Sequence, residues 1–67
     1  MKLIVNGEPS SVADATTVLD LVTALTGDRA HGVAVAVNDQ VVPRSSWRET
    51  PLADGDAVEI LTAVQGG

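Results

Sequence analysis

Only one segment of the chain carries apolar residues at the spacing of an α-helix. Within "DATTVLDLVTALTGD", residues 14–28, four apolar side chains recur at i, i+3, i+4 and i+7: Val18, Leu21, Val22 and Leu25. Thr17 is the predicted N-cap, and Gly27 fits a left-handed C-cap. Because so short a helix is marginal alone, it must be stabilised by packing against the other elements of the chain.

The first of those elements is a predicted hairpin. Strands at Lys2–Val5 and Glu8–Val12 flank Asn6-Gly7, a pair that favours the positive φ angles of a type I′ turn. Pro9 cannot donate a backbone hydrogen bond, so the second strand is expected at an edge of the sheet.

Three further strands are predicted after the helix. Val33–Val37 alternates valine with alanine, so both of its faces are apolar, as expected of a central strand. A turn at Asn38-Asp39 leads into Gln40–Val42, and Ala57–Leu61 is the last strand. Between them, a single helical turn is expected to begin at Ser45 or Ser46, with Trp47 as an anchor to the body of the domain.

The element order is therefore β-β-α-β-β-β, which is typical of the α+β class. We expect one domain spanning residues 1–67, with a mixed sheet of about five strands packed on one helix. The last strand is expected in the centre of the sheet. Residues 63–67 would then project from it as a short, flexible and protruding tail.

Composition excludes several classes of function. The chain has 67 residues, no cysteine, and a net charge of −5. Disulfides, thiolate zinc sites and cysteine nucleophiles are thus excluded, and the four scattered basic residues argue against nucleic-acid binding. No apolar run is long enough to span a bilayer, and "MKLIVNGE" does not resemble a signal peptide. The expectation is a soluble, cytoplasmic protein that is monomeric when free.

The side chains offer little for catalysis. His31 is the only histidine and has no predicted partner, and Asp54 with Asp56 supplies too few oxygen ligands for a calcium loop. No phosphate-binding glycine motif occurs in the sequence. Ser10-Ser11 and Ser45-Ser46 have no base that would activate them as nucleophiles. We therefore expect a protein that is not an enzyme and that binds neither a metal nor a cofactor.

The group that remains is the carboxylate of Gly67. Glycine has no Cβ, so Gly66-Gly67 can enter a narrow channel and bring its backbone close to a ligand. A partner enzyme with ATP could convert this carboxylate to an acyl-adenylate, which would accept an amine or a sulfide.

Several segments carry a family resemblance: "VNGEP", "ATTVLDLV", "VAVAVNDQVVPRSSW" and "TPLADGDAVEILTAVQGG". In this order they cover essentially the whole chain, which resembles the ubiquitin-like β-grasp sulfur carriers and, more specifically, the ThiS family of thiamine biosynthesis. The terminal Gly-Gly alone would not be specific. The combination of "VVPRSSW" with the C-terminal block is.

The resemblance implies a cycle of partner enzymes. A ThiF-type adenylating enzyme, related to ubiquitin-activating enzymes, would activate Gly67 with ATP. A cysteine desulfurase would supply the sulfur, and the resulting thiocarboxylate would donate it to a ThiG-type thiazole synthase. Val64, Gln65 and Gly66 would form the tail that these partners recognise. Further contact is expected on the exposed face of the sheet, with Leu61 or Val64 as apolar contacts and Glu59 facing basic residues.

Other functions fit the same terminus. The small subunit of molybdopterin synthase shares the fold and the ending, and carriers for cysteine synthesis or tRNA thiolation use the same chemistry. A ubiquitin-like modifier would instead link Gly67 to lysines of target proteins. An interaction module with an inert tail is a third class, and it predicts that removal of Gly67 has no effect.

Overall fold

The computed structural model describes residues 1–27 and 32–62. It contains the strands β1 (Lys2–Val5), β2 (Glu8–Ser11), β3 (Val33–Val37), β4 (Gln40–Val42) and β5 (Ala57–Thr62). The helix α1 spans Val18–Thr26, and a 3₁₀ helix spans Arg44–Glu49. Within these ranges, no helix has the length and apolar character needed to cross a membrane.

Two tight turns build the hairpins of the sheet. Asn6 and Gly7 have φ angles of 49° and 84°, so the predicted type I′ turn joins β1 to β2. Asn38 and Asp39, at 50° and 69°, make the equivalent turn between β3 and β4. Strand β2 ends one residue earlier than the sequence suggested, at Ser11.

The sheet has the strand order β2-β1-β5-β3-β4. Strand β5 lies in the centre, parallel to β1 and antiparallel to β3. This confirms the predicted central position of the last strand. It also confirms the edge position of β2. Because no strand of the described residues pairs with the outer side of β2, the backbone N–H that Pro9 lacks interrupts no hydrogen bonding there.

Reciprocal capping fixes the start of α1. The Asp20 backbone N–H donates to the Thr17 hydroxyl over 3.1 Å, and the Thr17 N–H donates to the Asp20 carboxylate over 3.1 Å. Gly27 follows the helix with φ 62° and donates its N–H to the Thr23 carbonyl. The N-cap at Thr17 was predicted, and so was the positive φ at Gly27. The ψ of Gly27 is −129°, however, so the predicted left-handed helical C-cap is not formed.

The predicted apolar face of α1 is correct for three residues and wrong for the fourth. Val18, Leu21 and Val22 are buried, whereas 58% of Leu25 is exposed. Leu25 lies one residue before the end of the helix, where the described part of the chain no longer covers it. The periodicity identified the helix, but it did not show that the buried face of the helix ends before Leu25.

Trp47 is the aromatic centre of an otherwise aliphatic core. Its side chain is 1% exposed, and its indole N–H donates to the Val42 carbonyl over 2.9 Å. The Arg44 guanidinium lies 5.8 Å from the ring centroid. The predicted anchor is confirmed. The helical segment around it is longer than the single turn expected, since it begins at Arg44.

An exposed alanine just before α1 gives a first testable prediction. Ala15 has φ 67°, a left-handed conformation that costs a residue with a Cβ about 1 kcal/mol. Ala15→Gly relieves this cost but adds a similar amount of unfolded-state entropy, so the free energy of unfolding should change by less than about 0.5 kcal/mol. The matched variant Ala24→Gly, inside α1, should lose about 1 kcal/mol. Urea denaturation measures both, and equal losses would contradict the left-handed conformation.

Candidate functional site

The candidate site lies at the end of β5, and the preceding turn fixes where this strand begins. Asp54 accepts a hydrogen bond from the Lys2 backbone N–H over 2.7 Å. Asp56 accepts from the Ala53 N–H over 2.8 Å and from the Asn38 amide over 3.0 Å. The two carboxylates are therefore engaged in holding the turn, and residues 1–27 and 32–62 contain no cluster of metal-ligating side chains.

A second set of contacts holds the other end of β5. The backbone N–H of Ile60 donates to the side-chain oxygen of Asn6 over 2.7 Å. The Asn6 side-chain amide donates in return to the Ile60 carbonyl over 3.2 Å. Strand β5 then continues to Thr62, which is the last residue that the structure describes.

The predicted site residues follow directly in the chain. Val64, Gln65, Gly66 and Gly67 lie outside the described residues, so their assignment stays a prediction. His31 also lies outside them. The structure does describe the strand that precedes them, because the segment that carries Gly67 follows β5, the central strand of the sheet.

The sheet face opposite α1 carries exposed apolar side chains. The exposed fractions are 65% for Leu61, 77% for Val41 and 39% for Ile4. Small side chains lie between them on the same face, because Leu61 pairs with Ala34 and Val41 pairs with Ala36 in the strand register. We call this surface, formed by Ile4, Ala34, Ala36, Val41, Ala57, Glu59 and Leu61, the outer face.

Glu59 supplies the negative charge on the outer face. It is exposed and pairs with Ala36, which in turn pairs with Val41. Predicted contact residues Leu61 and Glu59 are thus both accessible on one surface, near the end of β5. Such a surface suits a partner with apolar and basic side chains.

The described residues form no pocket. Trp47 is enclosed in the core and donates its indole N–H within the chain. What the arrangement offers is a rigid sheet with an accessible apolar surface, followed in sequence by a glycine pair.

Comparison of the chain with known protein families shows to which family of small α+β domains it belongs. The model of the ThiS family matches residues 3–67, which is nearly the whole chain. The chain belongs to the ThiS family. The matched range includes residues 63–67.

Individual relatives agree with this assignment. The sulfur carrier protein ThiS of Escherichia coli is 33% identical over 67 residues, covering all of both chains. ThiS of Thermus thermophilus is 37% identical over 62 residues, covering 92% of this chain and 94% of the relative. These relatives of the ThiS-family chain are carriers by name, not enzymes.

A third relative is a longer protein. A thiazole synthase of Paramagnetospirillum magneticum is 39% identical to the whole of this ThiS-family chain, which spans only 20% of that protein's length. A carrier-like segment therefore forms one part of a protein that is named for the thiazole-forming reaction.

Solved structures show the same fold. The crystal structure of the thiamine biosynthesis protein ThiS from Geobacter metallireducens has a TM-score of 0.84 at 42% identity, with both chains fully covered. The solution structure of a thiamine biosynthesis protein from the same organism gives 0.83 at 42% identity, covering all of this chain and 88% of the other. The predicted ubiquitin-like β-grasp fold is confirmed for this ThiS-family member.

Sequence reasoning missed one residue near the site. Asn6 was interpreted only as a turn residue, yet its side chain binds both polar groups of the Ile60 backbone, 54 positions away. An Asn-Gly pair predicts the turn, but it carries no signal for a contact with a distant strand.

Proposed function

We propose that this chain carries sulfur as a thiocarboxylate on Gly67 and donates it for thiazole formation in thiamine biosynthesis. The observation that carries the proposal is the family match over residues 3–67, which includes Gly66-Gly67. The alignment with the E. coli carrier also runs over the whole of both chains, so the two endings correspond.

The proposed chemistry first activates the Gly67 carboxylate and then replaces one of its oxygens with sulfur. An adenylating enzyme of the ThiF type positions the Gly67 carboxylate against ATP, and an oxygen of the carboxylate attacks the α-phosphorus with release of pyrophosphate. A persulfide, formed on a cysteine desulfurase from cysteine, then attacks the carbonyl carbon and AMP leaves, which gives an acyl disulfide. A thiol such as excess cysteine attacks the S–S bond, so that the thiocarboxylate is released and the thiol is oxidised to a disulfide. One oxygen of the carboxylate is thereby exchanged for one sulfur. The chain itself needs only an unhindered terminal carbonyl for this reaction.

A thiazole synthase is the proposed acceptor of the sulfur. Support comes from the Paramagnetospirillum protein, in which a segment resembling this entire chain forms one fifth of a thiazole synthase. Covalent linkage raises the effective concentration of a carrier at the enzyme that uses it. We infer that this chain likewise delivers its sulfur to a ThiG-type enzyme.

The acceptor is tested with the thiocarboxylated chain. Incubation with a ThiG-type thiazole synthase and its other substrates should return the chain to its original intact mass as the sulfur leaves. Retention of the sulfur, under conditions in which the same synthase consumes the thiocarboxylated E. coli carrier, would contradict the assignment to thiazole formation. A ladder of larger species on a denaturing gel would instead indicate conjugation to other proteins.

The outer face is the proposed docking surface for the adenylating enzyme. It combines exposed Leu61 and Val41 with the charge of Glu59, and it includes residues of β5, the strand that leads to Gly67. An enzyme that covers this surface with apolar and basic side chains would hold the sheet while the last residues reach its nucleotide. Apolar side chains at the centre of such interfaces carry much of the binding energy.

Leu61→Ala should therefore weaken binding to the adenylating enzyme by about tenfold, or ~1.4 kcal/mol. Leu25→Ala is the matched control, because Leu25 is 58% exposed but lies on α1, whereas Leu61 is 65% exposed on the outer face. Titration calorimetry at two salt concentrations measures both variants. Equal affinities for the two variants would rule out the outer face, and a lack of salt dependence would exclude a role for Glu59.

A further inference from the structure

We propose that Asn6 is a positioning residue, which fixes the C-terminal end of β5 and so the point from which the segment carrying Gly67 continues. The inference rests on the proposed function, because its consequence is measured in the activation of Gly67. Its structural basis is the pair of hydrogen bonds between the Asn6 side chain and the backbone of Ile60.

The side chain of Asn6 extends the ladder between β1 and β5. These strands run parallel, with Ile4 opposite Ala57 and Val5 opposite Val58. The Asn6 backbone N–H still donates to the Val58 carbonyl over 2.8 Å, but the chain then turns away into β2. A side-chain amide offers one acceptor and one donor in the arrangement of a peptide group. The Asn6 side chain thus makes the next pair of hydrogen bonds to β5, at Ile60, where the backbone of β1 no longer reaches.

These two hydrogen bonds matter because β5 is paired over a shorter length with β1 than with β3. On one side, β3 pairs with β5 along its length, from Val58 to Thr62. On the other side, the register with β1 ends at Val58. Beyond Val58, among the described residues, the bonds to β5 from the β1 side come from the Asn6 side chain. Their loss would leave the end of β5 paired on one side, as an edge strand is.

The turn itself does not require the amide of Asn6. A glycine tolerates its φ of 49° at least as well, so a Gly-Gly turn would serve the hairpin. Asn38 offers a natural comparison, because it has nearly the same φ, 50°, in the other type I′ turn. Its side chain also binds β5, but at the beginning: it accepts from the Ala57 N–H over 3.0 Å.

Each of the two asparagines thus holds one end of the same strand. Only the end held by Asn6 continues into the segment with Gly67. An activating enzyme that grips the sheet must bring the Gly67 carboxylate to within reacting distance of ATP. A strand end that shifts by about 1 Å can lower the rate of such a step by roughly 100-fold without changing the docking surface.

The experiment compares Asn6→Gly with Asn38→Gly in the full chain. Both variants keep a residue that tolerates positive φ, and both remove side-chain bonds to β5. Amide hydrogen exchange measured by NMR reports the local effect. Exchange at Ile60 should accelerate by at least about tenfold in Asn6→Gly relative to Asn38→Gly. Unchanged exchange at Ile60 would show that Asn6 does not hold this strand end.

ATP–pyrophosphate exchange by a ThiF-type enzyme gives the functional readout. Asn6→Gly should lower kcat by about tenfold or more, with KM changed less than about twofold, because docking is intact and positioning is not. A purely structural loss would only reduce the folded fraction, which raises the apparent KM and leaves kcat unchanged. That pattern is expected for Asn38→Gly. A wild-type kcat in Asn6→Gly would overturn the inference, whereas failure of the wild-type chain would overturn the proposed function itself.

Discussion

Gly66→Val is expected to fold like the parent chain and to lose activation of Gly67 by roughly 100-fold or more. Every buried residue of the described core lies between Leu3 and Ile60, so the substitution leaves that core intact. A branched side chain next to the terminal residue would clash in a channel shaped for a glycine backbone. The clash would keep the carboxylate away from ATP.

The measurement is the rate of ATP–pyrophosphate exchange, with thermal unfolding as the control for the fold. Gly66→Ala provides a graded comparison, since it adds one methyl group where valine adds an isopropyl group. The rate should fall in the order glycine, alanine, valine, at an unchanged melting temperature. Normal activation of Gly66→Val would disprove the narrow-channel argument, and a lowered melting temperature would mean that Gly66 contributes to the fold.

Leu21→Ala is expected to produce the second large effect, a loss of ~2–5 kcal/mol in the free energy of unfolding. Leu21 is 5% exposed and packs into the cluster that joins α1 to the sheet. A domain of this size has a total stability of only about 5–15 kcal/mol, so the variant should be partly unfolded at elevated temperature.

The control for this variant lies one helical turn further along α1. Leu25→Ala removes the same atoms from a side chain that is 58% exposed, and it should cost less than about 0.5 kcal/mol. Urea denaturation at equal protein concentration compares the two free energies. Similar losses would mean that Leu25 is covered in solution, and that the apolar face of α1 has the full extent predicted from its periodicity.

Most of the fold follows from local signals in the sequence. The Asn-Gly pair fixes the first hairpin, Thr17 and Gly27 bound the helix, and Pro9 marks an edge strand. Each of these signals acts over a few residues through backbone geometry, and for that reason each could be recognised without a structure. The central position of β5 followed from them through the element order.

The features that were missed depend on contacts between distant residues. Leu25 has the right period but lies where no described element covers it. The Asn6 side chain reaches Ile60 only because β1 and β5 are neighbours in the folded sheet. The same distinction applies to the candidate site. Its terminal glycines can be recognised in the sequence, whereas the residues of the outer face and the contacts at the end of β5 are known only once the strands are paired in the sheet.

The most direct test of the central claim is the intact mass of the chain after incubation with a ThiF-type enzyme, ATP, cysteine and a cysteine desulfurase. The account predicts a gain equal to the exchange of one oxygen for one sulfur, and the same treatment should leave a chain lacking Gly67 unchanged. An unchanged mass for the full chain, in a mixture that thiocarboxylates the E. coli carrier, would contradict the account.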